Sequence, residues 1–227
     1  MKNYLKTLLT VFLVSAVACT VYDIDKLTNR INKIENKLGG SKKIGCTEKE
    51  AVERVRQSVV RVVGGESEGS GFAIQKGGFI LTNFHVIASE PIPKVILPDN
   101  TFETAQVIMA DKDADLAVVK INKSLPVLRM ACLDEMGPVE EVLSIGYPLG
   151  GSLPGEASVT RGSFSRFILD RENNIKYLNT DMTFVSGVSG GPMVNIYGDV
   201  VGINTAGLTS GGMSLASNGA VPLVAAV

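Results

Sequence analysis

The sequence predicts an all-β fold of about 12 short strands, and two observations favour it. The 227-residue chain contains 24 glycines and no tryptophan, and its apolar residues fall in short Val- and Ile-rich runs that glycine-containing turns separate. Hydrophobic residues make up 45% of the chain and charged residues 20%, which is typical of a globular protein with a buried core. This number of strands suits two barrels or one large sandwich.

The N-terminus, residues 1–18, has the layout of a secretory signal. A basic start with two lysines precedes an apolar run over residues 7–18, which ends in Ala-Val-Ala directly before Cys19. A short apolar core with a small-x-small exit is typical of export signals, whereas a membrane span needs about 20 apolar residues. We expect lipidation of Cys19, as in a bacterial lipobox; plain cleavage and a retained short anchor are the alternatives.

Residues 19–46 are predicted to form a short coiled coil or linker. Apolar residues recur there at alternating steps of three and four, the a/d spacing of a coiled coil, at Ile24, Leu27, Ile31, Ile34 and Leu38. The stripe spans only about two heptads, so a single amphipathic helix or spacer is the alternative. We predict a homo-oligomer through residues 24–38. Export would permit a disulfide between Cys46 and Cys132, and the sequence equally allows both thiols to stay free.

The folded domain is predicted to span residues 47–227. Thr47 and Glu50 form the capping-box pattern of a short helix, and VVRVVG, residues 59–64, is the first predicted strand. Further strands are expected at 71–75, 78–83, 94–100, 103–110, 115–121, 141–148, 157–165, 175–181, 193–198, 199–207 and 219–223.

The stretch GVSGGP, residues 187–192, sets one serine among three glycines. Ser189 is either a nucleophile on a tight turn or part of an ordinary polar loop. The Gly-x-Ser-x-Gly pattern also occurs in α/β-hydrolases, but their triad needs a histidine after the serine. The only histidine, His85, comes before it. A triad in the order Asp, His, Ser needs an aspartate before the histidine, and the only aspartates before His85 are Asp23 and Asp25. Both lie next to the apolar N-terminus, so the order His, Asp, Ser is the one left.

Three side chains are therefore candidates for nucleophilic catalysis. A serine hydroxyl needs a base, and the base needs a partner that fixes its tautomer. His85, in LTNFHVI at the end of a predicted strand, is the candidate base, and a packed core histidine is the alternative. Asp115 opens the apolar strand DLAVVKI and is the candidate acid; a turn-forming aspartate is the alternative. Asp111 and Asp113 are its rivals in the preceding loop.

The glycines around the serine predict an oxyanion hole. A tetrahedral intermediate carries negative charge on an oxygen, and backbone N–H groups must converge on that oxygen. The segment Gly187, Val188 and Ser189 is expected to form this hole, with Gly187 and Ser189 as the N–H donors. Gly190 and Gly191 then allow the turn to pack closely.

Four motifs in this order resemble the HtrA (Deg) family of trypsin-like serine proteases, in the chymotrypsin clan. The motifs are GSGFAIQKGGFILTNFHVI, DADLAVVKI, GYPLG and TDMTFVSGVSGGPMVNIYGDVVGINTAG, and the resemblance covers residues 52–227. It implies two six-stranded antiparallel β-barrels preceded by a short N-terminal helix. It also implies that His85 and Asp115 of the first barrel and Ser189 of the second form a catalytic triad in the cleft between them, with no cofactor and no metal.

The sequence departs from the family pattern in several places, among them Ser186, where the family often has Pro, and Phe84, which is large beside His85. Val188 stands where a polar Asn or Asp usually helps to hold the oxyanion loop, and no PDZ domain is expected after the protease domain. By analogy, the substrate pocket is expected to have Thr183 at its base, with walls at Asn204, Thr205, Ala206 and Gly207 and at 219–221. The residue at the bottom of this expected pocket is not acidic, so a preference for Lys or Arg in the substrate is not expected.

The sequence thus predicts a serine endopeptidase that acts on unfolded or exposed proteins. The predicted location is the periplasm or cell envelope, with a membrane tether through the N-terminus. A net charge of −1 gives no indication of nucleic-acid binding, and a single histidine is a poor start for a metal site. The alternatives are a catalytically weak binding or scaffold protein on the same fold, and an esterase using the same triad.

Overall fold

The computed structural model of the protein describes residues 47–131, 136–148, 155–170, 175–183, 185–205 and 219–221, together with Arg30. The predicted export signal, the three cysteines and, apart from Arg30, the predicted coiled-coil segment lie outside these residues. Within them, no helix has the length and apolar character that crossing a membrane requires.

The predicted N-terminal helix is present as α1, Glu48–Arg56. The capping box forms as expected: the Thr47 hydroxyl accepts the Glu50 N–H at 3.3 Å, and the Glu50 carboxylate accepts the Thr47 N–H at 2.7 Å. These two bonds satisfy backbone donors that the first turn of a helix leaves without partners. The helix buries Ala51 and Val55 against the rest of the protein.

Helix α1 lies directly before the first barrel but docks on the second. The Arg54 guanidinium donates to the Tyr197 carbonyl at 2.6 Å. Arg161 pairs with Glu48 of the helix and with Glu141. These bonds raise the pKa of the Arg161 guanidinium above its ordinary value, the bond to Glu141 contributing most. The chain therefore crosses from one barrel to the other as soon as the helix ends.

The first sheet contains seven strands in the order β5-β4-β1-β2-β3-β7-β6. The strands are β1 (Val59–Gly64), β2 (Ser67–Gln75), β3 (Phe79–Thr82), β4 (Lys94–Ile96), β5 (Phe102–Thr104), β6 (Gln106–Asp111) and β7 (Leu116–Lys120). All neighbours pair antiparallel. Because β5 and β6 are consecutive in the chain yet lie at opposite edges, the sheet curls round on itself.

The prediction of one strand over 103–110 is wrong in one detail. The chain leaves the ladder at Ala105, whose N–H donates to the Pro93 carbonyl at 2.8 Å instead. The segment before this break pairs with β4 and the segment after it pairs with β7. The break lets a single extended segment turn the corner between the two edges of the sheet, so β5 and β6 together take the place of the sixth barrel strand.

The second sheet is a closed barrel with the order β10-β13-β12-β11-β8-β9. Its strands are β8 (Glu141–Gly146), β9 (Ser158–Asp170), β10 (Ile175–Thr180), β11 (Pro192–Asn195), β12 (Val200–Thr205) and β13 (Gly219–Val221). All its pairings in the described residues are antiparallel. The prediction of an all-β, chymotrypsin-like fold behind a short helix is confirmed, with the first barrel present as a curled seven-stranded sheet and the second as a closed six-stranded barrel.

One apolar cluster joins the two barrels. It contains Phe72 and Leu81 from the first sheet, Ile145 and Ile203 from the second, and Val55 from α1. All five side chains are buried, so separating the barrels would expose each of them to water at a cost of about 25 cal/mol per Å² of apolar surface. The seam between the barrels is therefore a packed contact, and strand ends from both barrels meet along it.

Candidate active site

His85 lies in a single helical turn and not at a strand end as the sequence had indicated. Strand β3 ends at Thr82, and helix α2, Phe84–Ile87, follows at once. Val86 and Ile87 are buried, whereas 44% of the His85 side chain is exposed. The two buried neighbours fix this turn against the first barrel and leave the imidazole facing solvent, which argues against the alternative of a packed core histidine.

The carboxylate of Asp115 holds both the backbone and the ring of His85. Its Oδ1 accepts the His85 N–H at 2.9 Å, and its Oδ2 lies 2.8 Å from His85 Nδ1. Thr205 of β12 reaches across from the second barrel and donates its hydroxyl to the same Oδ2 at 3.1 Å. Asp115 thus receives donors from both barrels, as a carboxylate in a partly buried place requires.

The backbone of Asp115 is as specific as its side chain. Its φ of +52° lies in the left-handed region, which aspartate tolerates better than most residues. In this conformation its carbonyl accepts the Asn83 side-chain amide at 2.8 Å and the Phe84 N–H at 3.2 Å. The residues on either side of the start of α2 are therefore tied to the residue that orients His85.

The rival Asp111 has a local role. Its Oδ1 accepts the N–H groups of Asp113 and Ala114 at 3.0 and 2.9 Å, which is an Asx-type turn. The turn-forming role that sequence reasoning considered for Asp115 therefore belongs to Asp111.

Ser189 lies in the loop before β11 and is 4% exposed. Its carbonyl accepts the Ser70 N–H from β2 at 2.7 Å. A Cβ atom at Gly69 would lie 2.6 Å from a methyl of Val86 and 2.8 Å from the Ser189 carbonyl oxygen. Only a glycine lets both α2 and the serine loop approach β2 this closely, so the helical turn that carries His85 and the loop that carries Ser189 pack against the same residue of β2.

The turn before Ser189 has the geometry of a type II turn. Val188 N–H donates to the Val185 carbonyl at 3.4 Å, and Gly187 has a φ of +97°. A type II turn requires this positive φ at its third residue, and it differs from type I by a flip of the central peptide. The direction of the Gly187 N–H is therefore set by the turn type. In the described part of the chain, the Gly187 N–H donates to no backbone carbonyl.

Val188 packs against the second barrel. It is 6% exposed, and a Cβ atom at Gly146 would lie 3.1 Å from its Cα and 3.3 Å from its Cβ. The side chain that departs from the family pattern is thus buried over a glycine of β8. A buried apolar side chain therefore stands where a polar one is expected from related sequences.

The residues expected to form a substrate pocket fall into two groups. Thr183 is exposed at the surface. Asn204 is fully buried, and its side-chain amide donates to the Pro192 carbonyl at 3.2 Å, while Thr205 is bonded to Asp115. The side chains of Asn204 and Thr205 therefore brace the site. Ala206 and Gly207 lie outside the described residues, and the pocket itself stays a prediction.

Sequence reasoning missed Ser70. This buried serine of β2 donates its hydroxyl to the Gly187 carbonyl at 2.8 Å. The only signal is its place between two glycines in GSGF, which does not distinguish it from ordinary turn chemistry.

Among the residues the structure describes, no group of three His, Cys, Asp or Glu side chains is arranged as metal ligands.

Comparison with known proteins gives the same fold and the same family. Residues 69–203 match the family described as the trypsin-like peptidase domain. The chain is 39% identical over 161 residues to a probable periplasmic serine endoprotease, DegP-like, from Hahella chejuensis, covering 70% of this chain and 34% of that protein. It is 39% identical over 153 residues to serine protease HTRA1 of Xenopus laevis, covering 64% and 32%.

Solved structures agree with these matches. The HtrA-type protease AlgW with a tripeptide superposes with a TM-score of 0.68 at 30% identity, over 78% of this chain and 60% of that one. A serine endoprotease from Yersinia pestis gives a TM-score of 0.63 at 31% identity, over 79% and 64%. The chain spans about a third of the length of the Hahella chejuensis and Xenopus laevis relatives. It belongs to the trypsin-like peptidase family, and its relatives identify it as an HtrA-like member.

Proposed function

We propose that the protein is a serine endopeptidase that hydrolyses peptide bonds of unfolded or exposed proteins through His85, Asp115 and Ser189. The observation that carries the proposal is the contact of 2.8 Å between His85 Nδ1 and the Asp115 carboxylate, and the Ser189 loop packs on the same glycine of β2, Gly69, as the helical turn that carries His85. Sequence similarity to serine endoproteases supports the reaction class.

The pair of His85 and Asp115 has the arrangement that base catalysis requires. A carboxylate oxygen can only accept a hydrogen bond, so the contact places the imidazole proton on Nδ1. The other ring nitrogen, Nε2, then carries the lone pair and can take the proton of the Ser189 hydroxyl. When the ring becomes positively charged, the carboxylate 2.8 Å away stabilises that charge.

The proposed reaction assigns one role to each of the three residues. Ser189 Oγ attacks the scissile carbonyl carbon as His85 takes its proton, and the carbonyl oxygen becomes an oxyanion held by the N–H groups of Gly187 and Ser189. His85 then gives its proton to the leaving amine, the C–N bond breaks and an acyl-enzyme forms. A water molecule, activated by the same imidazole, cleaves the ester and restores Ser189.

The substrate and the location are inferred from chemistry and from relatives. A related structure holds a tripeptide, and a related protein is named as periplasmic, so we propose exported peptide or protein substrates for this chain. Thr183 is uncharged and exposed; we expect apolar side chains and not Lys or Arg at the primary site. Tethering through Cys19 and self-association through 24–38 are part of the proposal.

The test compares the full-length protein with its Ser189→Ala variant. We expect the parent protein to react with an alkyl fluorophosphonate and to cleave casein, and the variant to do neither while folding normally. Ester hydrolysis without casein cleavage would favour the esterase alternative. A folded parent protein that neither reacts nor cleaves would contradict the proposal and favour the binding-protein alternative.

A further inference from the structure

Ser70 of β2 contacts the nucleophile loop from the opposite barrel. It is fully buried, and its hydroxyl donates to the Gly187 carbonyl at 2.8 Å and accepts the Tyr147 N–H at 2.9 Å. A backbone N–H can only donate and a carbonyl can only accept. The two partners therefore fix the direction of the hydroxyl proton, which must lie toward Gly187.

The backbone of Ser70 holds the same loop at a second point. Its N–H donates to the Ser189 carbonyl at 2.7 Å, and its own carbonyl accepts the Thr82 hydroxyl at 2.7 Å. The peptide units that follow Gly187 and Ser189 are thus both held by this residue. The strand beneath is in turn fixed to β3, which leads directly to α2 and His85.

The bond to Gly187 acts on the turn that directs the oxyanion donor. We call residues 185–189 the oxyanion loop. The peptide between Gly187 and Val188 is held on its N–H side by the Val185 carbonyl at 3.4 Å and on its carbonyl side by Ser70 at 2.8 Å. Because the first distance is at the long end for a hydrogen bond, the Ser70 bond contributes more to the orientation of this peptide.

Losing that bond would leave the peptide between Gly187 and Val188 held only by the 3.4 Å contact with the Val185 carbonyl, at a glycine whose own backbone torsions are the least restricted of any residue. A type I turn spans the same four residues with a negative φ at its third position, and glycine adopts both signs of φ readily. In the type I form the neighbouring peptide, between Ser186 and Gly187, is flipped and the Gly187 N–H points away. The loop reaches this form only if the Gly187 torsions are free to change, and the Ser70 bond to the Gly187 carbonyl restricts them. The Val188 side chain cannot prevent this by a directional contact, since valine has no side-chain hydrogen-bond donor or acceptor.

We infer that Ser70 is a positioning residue whose hydroxyl keeps the oxyanion loop in the conformation that presents the Gly187 N–H to the reacting oxygen. The inference rests on the proposed function, since it assigns Ser70 a part in that reaction. Ser70 touches no reacting atom; it acts through Gly187.

The test is Ser70→Ala in the full-length protein, with an alkyl fluorophosphonate as the probe. The attacked phosphorus centre places an oxygen in the oxyanion hole, so the loop affects the rate constant of inactivation, kinact, and not the initial binding constant, KI. We expect kinact to fall about tenfold, the effect of one neutral hydrogen bond, with KI unchanged. Thermal unfolding verifies that the variant is folded.

Ser58→Ala is the matched control. Ser58 is equally buried beside the same barrel, and in the described part of the chain its hydroxyl has no hydrogen-bond partner. The same chemical change there should leave kinact at the parent value. A general loss of packing would instead lower stability in both variants and would not separate kinact from KI.

The outcomes are distinct. A folded Ser70→Ala variant with the kinact of the parent protein overturns the inference alone and leaves the proposed function standing. If Ser70→Ala does not fold, Ser70→Cys keeps nearly the same volume with a weaker donor, and it must show the lower kinact for the inference to hold. A folded parent protein that does not react overturns the proposed function and the inference with it.

Discussion

The pair of His85 and Asp115 and the oxyanion loop are held by different kinds of contact. The pair is fixed mainly within the first barrel, by two hydrogen bonds of 2.8 and 2.9 Å to one carboxylate. The oxyanion loop belongs to the second barrel, but both of its carbonyl contacts to Ser70 come from the first. One half of the site is therefore local, and the other depends on how the barrels dock.

This difference predicts which disturbances each half tolerates. Small movements between the barrels should leave the contact between His85 and Asp115 intact, because the shortest bonds there do not cross the seam. The same movements would act directly on the Gly187 carbonyl, whose partner lies on the other side. The exception in the first half is Thr205, which reaches Asp115 from the second barrel. Variants at each of these points can test the distinction.

The largest effect is expected from Asp115→Asn. Asparagine also tolerates the left-handed φ of +52° at this position, so the backbone should keep its shape while the ring loses its anionic partner and its tautomer. We expect kcat for peptide cleavage to fall about 10⁴-fold. The rate of casein cleavage measures the loss of kcat, and circular dichroism verifies that the fold is unchanged.

Asp111→Asn is the matched control for this variant. The asparagine oxygen can still accept the N–H groups of Asp113 and Ala114. Its activity should equal that of the parent protein. If both variants lost activity equally, Asp115 would not be the residue that orients His85.

The second effect tests the oxyanion loop through Gly187→Ala. A side chain at a φ of +97° costs about 1–2 kcal/mol of stability, and the turn can avoid that cost by flipping the peptide that carries the N–H. Loss of one oxyanion donor lowers kcat about 10²–10³-fold. Fluorophosphonate reaction rates and thermal unfolding should show both losses.

Gly77→Ala separates strain from catalysis. Gly77 has a similar φ of +89°, and an added Cβ there would meet only one atom, of Phe79, at 3.9 Å. It should lose similar stability and keep the reaction rate of the parent protein. Equal loss of rate in the two glycine variants would show that the oxyanion loop has no special role.

The sequence carried most of the fold because its signals are local. The Thr47 and Glu50 capping box, the turn glycines and the short apolar runs each act within a few residues, and the corresponding elements formed as predicted. The turn containing His85 was missed, since helix α2 has only four residues and so is too short to show a helical period. The break at Ala105 depends on the distant carbonyl of Pro93, and no local pattern indicates it.

The candidate site was predictable in its residue types but not in its supports. The order His, Asp, Ser follows from counting, because the chain has one histidine. Ser70 and Thr205 contact residues that lie 117 and 90 positions away, and such contacts exist only once both barrels have folded. Nothing in GSGF or INTAG distinguishes a serine or threonine that supports the site from one that lines a loop or pocket.

A smaller effect is expected from Thr205→Val, which removes the hydrogen bond from Thr205 of the second barrel to Asp115. The carboxylate keeps both bonds to His85, so only its orientation loosens. We expect kcat to fall about tenfold, the effect of about 1.4 kcal/mol. Thr205→Ser keeps the hydroxyl and should restore most of the rate. A fall as large as that of Asp115→Asn would mean that the first half of the site is not local.

The smallest effect is expected far from both halves, at the exposed pair of Asp99 and Lys123, whose atoms lie 2.5 Å apart. The hydrogen bond from Lys123, with others from Thr101, holds the pKa of the Asp99 carboxyl well below its usual range. A carboxyl whose pKa is lower in the folded state stabilises the protein at a pH above its pKa in the unfolded chain, which is about 3.9. This stabilisation is lost as the pH falls below that value. Asp99→Asn should therefore be slightly less stable than the parent protein at pH 6, and the difference in unfolding temperature should shrink below about pH 4. Because the pair contacts neither His85 nor the oxyanion loop, the fluorophosphonate reaction rate at neutral pH should not change, and a change there would show that the first barrel transmits surface disturbances to the site.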